Sequence, residues 1–127
     1  MGQALLVSVD IPMGAEILRA LDVAGLNVKV AAWMVLPEYE DWRIILASSA
    51  FDKAGTLKTF RLIREALDAA GIPIERRPIF VPLRLTDPTI RELRRIFGKA
   101  KSVEGMRLGG QMIGDRFIED GYAYRIS

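Results

Sequence analysis

Apolar positions recur every three or four residues in three stretches of the chain and gather in short runs between them. From Pro12 to Ala24, the residues Ile17, Leu18, Leu21 and Ala24 fall on one helical face. Asp10 and Ile11 precede a proline suited to a first helical turn, and Gly25 supplies the stop. A second helix is predicted from Thr56 to Ala70, with Leu57, Phe60, Ile63, Leu67 and Ala70 as its apolar stripe and Gly71 closing it. A third opens at Asp87-Pro88, an N-cap followed by proline at the first helical position, and stops before Gly98. Its apolar face is Ile90, Leu93, Ile96 and Phe97.

The strands are marked by β-branched and aromatic runs. Asn27–Leu36 and Trp42–Ser49 flank the acidic segment Pro37–Asp41 and read as a hairpin or meander with an acidic tip. Pro78–Leu85 reads as an edge strand, because Pro78 and Pro82 cannot donate to a ladder. Gly105–Ile113 and Arg116–Ile126 are joined by Gly114-Asp115, a two-residue hairpin signal, with Gly109, Gly110 and Gly121 marking bulges or strong twist. If Ala4–Val9 is also a strand, the first 85 residues run β-α-β-β-α-β, the split βαβ or ferredoxin-like order. The expected fold is therefore a single α+β domain over residues 1–127. It has an antiparallel sheet of five or six strands, three helices mainly on one face, a ferredoxin-like core, and an appended C-terminal helix and β-hairpin.

An internal echo bears on that fold. Ala20–Leu26 (ALDVAGL) and Ala66–Ile72 (ALDAAGI) match at an offset of 46 residues. The plainer account is a shared helix ending, a glycine C-cap followed by an apolar residue. The sharper account is the pseudo-twofold repeat of a split βαβ domain.

Composition narrows the chemistry more than the fold. The 127 residues are half apolar and about a quarter charged, as in an ordinary globular domain. There is no cysteine and no histidine, so disulfides, thiolate sites and imidazole acid–base chemistry are excluded. No apolar run approaches the roughly 20 residues that span a bilayer, and the opening residues have neither basic leader nor cleavage site. A cytoplasmic location without membrane contact is the expectation, and no cofactor is implied.

Charge is unevenly placed. Residues 76–107 hold nine bases (Arg76, Arg77, Arg84, Arg91, Arg94, Arg95, Lys99, Lys101 and Arg107) against three acids, a net of +6 in a chain whose total is +2. On the third helix Arg91, Arg94 and Arg95 share a face opposite Ile90 and Leu93. With Lys99, Lys101 and Arg107 they form the candidate anion- or nucleic-acid-binding set, since guanidinium groups suit phosphate. The competing account is a solvated helix face whose bases favour the C-terminal end of the helix dipole. No stacking platform of the RRM type, no helix-turn-helix spacing and no phosphate-binding glycine loop accompanies the set.

Carboxylates are the remaining route to catalysis. Glu38, Glu40 and Asp41 cluster at the acidic tip, and Asp115, Glu119 and Asp120 near the C-terminus; either set offers oxygen ligands for Mg²⁺ or Mn²⁺. Neither has the supporting lysine of a metal nuclease. The leading expectation is thus a small non-enzymatic association domain, a homodimer whose basic surface contacts an anionic partner. The alternatives are a nucleic-acid-binding protein working through phosphate contacts and a divalent-metal phosphodiesterase or nuclease.

Overall fold

The computed structural model describes residues 10–39 and 41–127. Helix α1 (Ile11–Val23) starts where the sequence says it should: the Asp10 carboxylate accepts from the Met13 N–H at 2.9 Å, with Pro12 in the first turn. Strands β1 (Val28–Val35) and β2 (Arg43–Ser48) pair antiparallel across the acidic tip. A short helix α2 (Ser49–Ala54) follows directly, capped by the Ser48 hydroxyl, and Gly55 turns the chain into α3 (Thr56–Ala69). A 3-10 turn at Ile74–Arg76 leads to β3 (Phe80–Pro82), then α4 (Pro88–Phe97), β4 (Gln111–Ile113), β5 (Arg116–Ile118) and β6 (Asp120–Ile126).

The main sheet has the order β3-β2-β1-β6 and is mixed rather than antiparallel, because β2 and β3 run parallel. That pairing corrects the expected core. A split βαβ places its first strand between the strands that β2 and β3 represent, whereas here the two hydrogen-bond directly, Ile44 opposite Phe80 and Ile45 opposite Val81. The helices α2 and α3 supply the long crossover that parallel neighbours need. Ala4–Val9 lies outside the described residues. The helix count is also corrected: the described residues hold four rather than three, since α2 is too short to show a period.

Among the described residues β3 is an edge strand, as expected, and the predicted C-terminal helix and hairpin are both present. The hairpin keeps one register from its turn outward: Ile113 faces Arg116, Met112 faces Phe117, and Arg107 faces Tyr122 beyond the glycines. Gly114 has a φ of 65°, the positive value a II′ turn requires at its first central position. Its missing Cβ also matters, because one would lie 2.5 Å from the Pro88 carbonyl at the start of α4.

Because β1 is buried on both faces, the molecule has two cores rather than one. Val28, Trp33 and Val35 pack with Met13, Ile17 and Leu21 of α1 and Ile63 and Leu67 of α3. Val30, Ala32 and Met34 face the other way onto Ile90 and Leu93 of α4 and Ile113 and Ile118 of the hairpin. This explains why β1 reads as a near-continuous apolar run rather than an alternation. Ile90 and Leu93 are fully buried, each contributing about 2 kcal/mol of apolar transfer. The expected stripe of α3 is rotated: Leu57 is 86% exposed and Phe60 is exposed, while Thr59 and Ala66 point inward.

The internal echo resolves into two equivalent helix endings. Leu26 N–H reaches Leu21 O and Ile72 N–H reaches Leu67 O, both at 3.1 Å, with Gly25 and Gly71 at positive φ. Leu26 and Ile72 then enter the same core. No helix among the described residues is long and apolar enough to cross a membrane.

Candidate anion-binding face

Helix α4 is fixed at its start by Asp87, whose carboxylate accepts from the N–H groups of Thr89 at 3.0 Å and Ile90 at 3.4 Å. With Ile90 and Leu93 locked into the core, Arg91 and Arg95 point to solvent, as the spacing predicts. The structure then divides the candidate bases by their partners. Arg95 is paired with Glu92, Nη2 to Oε2 at 2.6 Å. The bond from Glu92 holds the Arg95 guanidinium further toward its charged form and keeps the Glu92 carboxyl below its ordinary range. Arg94 donates from Nε to the Ser127 carbonyl at 2.7 Å. Arg107 grips both oxygens of Asp120, at 2.6 and 2.7 Å, and donates to Gly121 O.

The side chains of Arg91, Lys99 and Lys101 have no hydrogen-bond or ion-pair partner among the described residues, and all three residues are exposed. They do not converge on one cavity. Arg91 lines a groove of about 460 Å³ with Pro88, Glu92, Arg95 and Gly114. Lys101 lines a separate one of about 290 Å³ with Ser102 and the end of β6. Arg91 sits in the first turn of α4 and Lys99 two residues past its end. The result is a ridge rather than a pocket.

The rest of the basic block leaves this face altogether. Arg76 pairs with Asp10 at 2.8 Å, and Arg77 with Asp68 at 2.7 Å while also donating to the Ile72 carbonyl, both on the α1–α3 side of the sheet. Arg84 lines a cleft with Asp52, Gly55 and Phe60 at the α2–α3 junction. The chain passes from one face of the sheet to the other between Arg77 and Asp87, so a block continuous in sequence is split in space.

The acidic candidates are dispersed. Glu38 pairs with Arg116, Asp41 accepts from the Trp42 N–H, Asp115 lies 3.7 Å from Arg116, and Asp120 is held by Arg107. Glu119 donates its backbone N–H to Val35 O, and Glu40 lies outside the described residues. Among the described residues no three acidic side chains gather as a metal site would. The acidic tip meets its counter-charge within the chain, through Glu38.

The residue sequence reasoning passes over is Arg116. Its Nη1 donates to Asp87 at 2.7 Å and Thr89 Oγ1 at 3.1 Å, and its Nε to Glu38 at 2.9 Å. One guanidinium thus ties the hairpin, the start of α4 and the β1–β2 loop together. The Asp87 bond, opposed by burial and helped by Glu38, drives the Arg116 pKa further up. The only sequence signal is a base placed just after the hairpin turn.

Acid titration follows from these pairs. Burial alone would raise the Glu38 pKa, but Arg116 and a backbone N–H outweigh it and the net shift is downward. The Asp10 carboxyl is lowered by Arg76 and the Met13 N–H, and Asp22 by Arg125. Lowered folded-state values favour the charged form, so this stability is complete above the ordinary carboxyl range and is lost as pH falls through the folded values. The urea midpoint is expected to stay level from about pH 8 to 5.5, with no histidine to titrate, and to fall below about pH 4. A loss of stability already between pH 7 and 5.5 would contradict it.

No family model matches the chain, and a comparison with characterised proteins and with solved structures finds no match either.

Proposed function

We propose that this chain is a non-enzymatic association domain, working as a homodimer, whose α4 ridge contacts an extended anionic partner. The observation that carries the reading is the sorting of the bases: Arg91, Lys99 and Lys101 stay exposed and unpaired on the α4 side, while the arginines around them are neutralised or bonded within the chain. Among the described residues eight acid–base contacts close within the chain, and Arg91, Lys99 and Lys101 are among the bases they leave open to a partner. Their spread, from the first turn of α4 to the loop past its end and over two separate grooves, favours a partner with repeated negative charge over one small anion.

The test is a fluorescence-anisotropy titration with polyglutamate, single-stranded DNA, duplex DNA and RNA at low and moderate salt. Arg91→Glu/Lys99→Glu/Lys101→Glu is expected to weaken binding by at least about tenfold and to flatten the salt dependence, since contacts to a polyanion act largely through counterion release. Arg76→Glu, on the other side of the sheet, is expected to leave binding unchanged. Absence of binding to every probe at low salt would overturn the reading. Binding confined to nucleic acids would replace it with the nucleic-acid alternative.

A further inference from the structure

Between the C-terminal halves of α1 and α3 lies an open groove of about 470 Å³, well away from the α4 ridge. Its floor is Ala20, Ala24, Ala66, Ala69 and Ala70, so two helix backbones are exposed to close approach. Val23 stands on its lip at 85% exposure, an apolar knob beside a hole lined by methyl groups. Ile74, two residues beyond the groove-lining Ile72, is 75% exposed. Large apolar side chains left in water beside a small-residue groove mark a surface made for contact.

The groove wall says what kind of contact. Glu16 and Arg19 both line it, one helical turn apart on α1, and neither side chain has an ion-pair or hydrogen-bond partner among the described residues. Two opposite charges one turn apart on one helix are self-complementary. When a second α1 crosses antiparallel about a two-fold axis, Glu16 of each copy meets Arg19 of the other. A partner of uniform charge would satisfy one of the pair and repel the other.

We infer that the α1–α3 groove is the self-association surface, occupied by the same groove of a second copy. Two reciprocal Glu16–Arg19 pairs fix the register, which sets Val23 of each protomer level with the first turn of its partner's α1. The inference rests on the homodimer half of the proposed function. The anion titration reads the other half, because the two surfaces lie on opposite faces of the sheet.

Sedimentation velocity of the full chain over a concentration series tests it. The wild type is expected to be a dimer, and Glu16→Arg or Arg19→Glu alone to raise the dissociation constant by at least about tenfold, by facing like charges across the axis. An equimolar mixture of the two variants is expected to re-form dimers, since every contact then joins opposite charges, and Glu16→Arg/Arg19→Glu in one chain is expected to dimerise with itself. Both side chains are exposed and unpaired, so thermal melts of the variants should match the wild type and separate dissociation from unfolding. A monomeric wild type would overturn the inference. So would a dimer indifferent to both reversals, which would place the interface elsewhere. Failure of the mixture to reassociate would show that the single reversals act by another route.

Discussion

Gly14→Ala is expected to destabilise the protein by about 3 kcal/mol, although alanine is the better helix former by about 1 kcal/mol. Gly14 lies in the first turns of α1, and a Cβ there would overlap the Tyr124 hydroxyl oxygen and sit 2.6 Å from the ring carbon that bears it. The ring has little freedom to withdraw. Its hydroxyl donates to the Ile11 carbonyl at 2.7 Å and accepts from the Trp33 indole N–H at 3.0 Å, and its edge packs on Tyr122 at 5.4 Å between centroids. Burial pushes the Tyr124 pKa up to about 12, so the hydroxyl keeps its proton as donor throughout the working pH range. Truncating the ring should reverse the sign. In a Tyr124→Ala background, itself destabilised by the lost ring and by the orphaned Trp33 N–H, Gly14→Ala should become neutral or stabilising by up to about 1 kcal/mol. Urea unfolding of the four proteins in this double-mutant cycle measures the coupling directly. A cost for Gly14→Ala that persists in the truncated background would mean the glycine is needed for its backbone and not for the space it leaves.

That contact also shows where the sequence is readable and where it is not. Asp10 with Pro12, Asp87 with Pro88, Gly25, Gly71 and the Gly114-Asp115 turn each act within a few residues of their own position, so their consequences are written locally. Pro82 in β3 likewise announces an edge. Pairings across the fold carry no such mark. The contact between Gly14 and Tyr124 joins positions 110 residues apart, and nothing near Gly14 distinguishes it from a weak helix position. The parallel pairing of β2 with β3 depends on α2, whose six residues are fewer than two turns and give no readable period. The rotation of the α3 stripe has the same origin: Gly55 redirects the chain, so Leu57 and Phe60 begin the helix on its outer side. For the candidate site, the solvent-facing arginines of α4 were legible because Ile90 and Leu93 set the helix phase. Which of the candidate bases remain unpaired was not, since Ser127 reaches Arg94 of α4, and Asp120 reaches Arg107 beyond it, only through the closed fold.

Arg116→Met is expected to destabilise the protein by about 2–3 kcal/mol, with the damage concentrated where α4 meets the hairpin. The side chain is 17% exposed and Asp87 is 14% exposed, so the pair between them is partly dry, whereas half-exposed Glu38 is solvated and loses little. Methionine keeps most of the stem's volume but removes all three donated bonds, leaving the Asp87 carboxylate without its cation inside the junction. Asp87 also caps α4, so its loss of counter-charge is felt by the Thr89 and Ile90 N–H groups it holds. Thr89 keeps its bond to the Ile113 carbonyl at 2.9 Å, which limits the opening. The local nature of the effect is the discriminating prediction. Amide exchange should accelerate in residues 88–97 and 111–118 while α1, α3 and the β1–β2 ladder keep their protection, because those elements belong to the other core or to the centre of the sheet. Arg116→Met/Asp87→Asn should recover part of the loss, since the buried charge left behind is then gone but the amide oxygen still caps the helix. A uniform loss of protection across both cores, or no recovery in the double variant, would show that Arg116 acts through general packing and not as the counter-ion of the α4 cap.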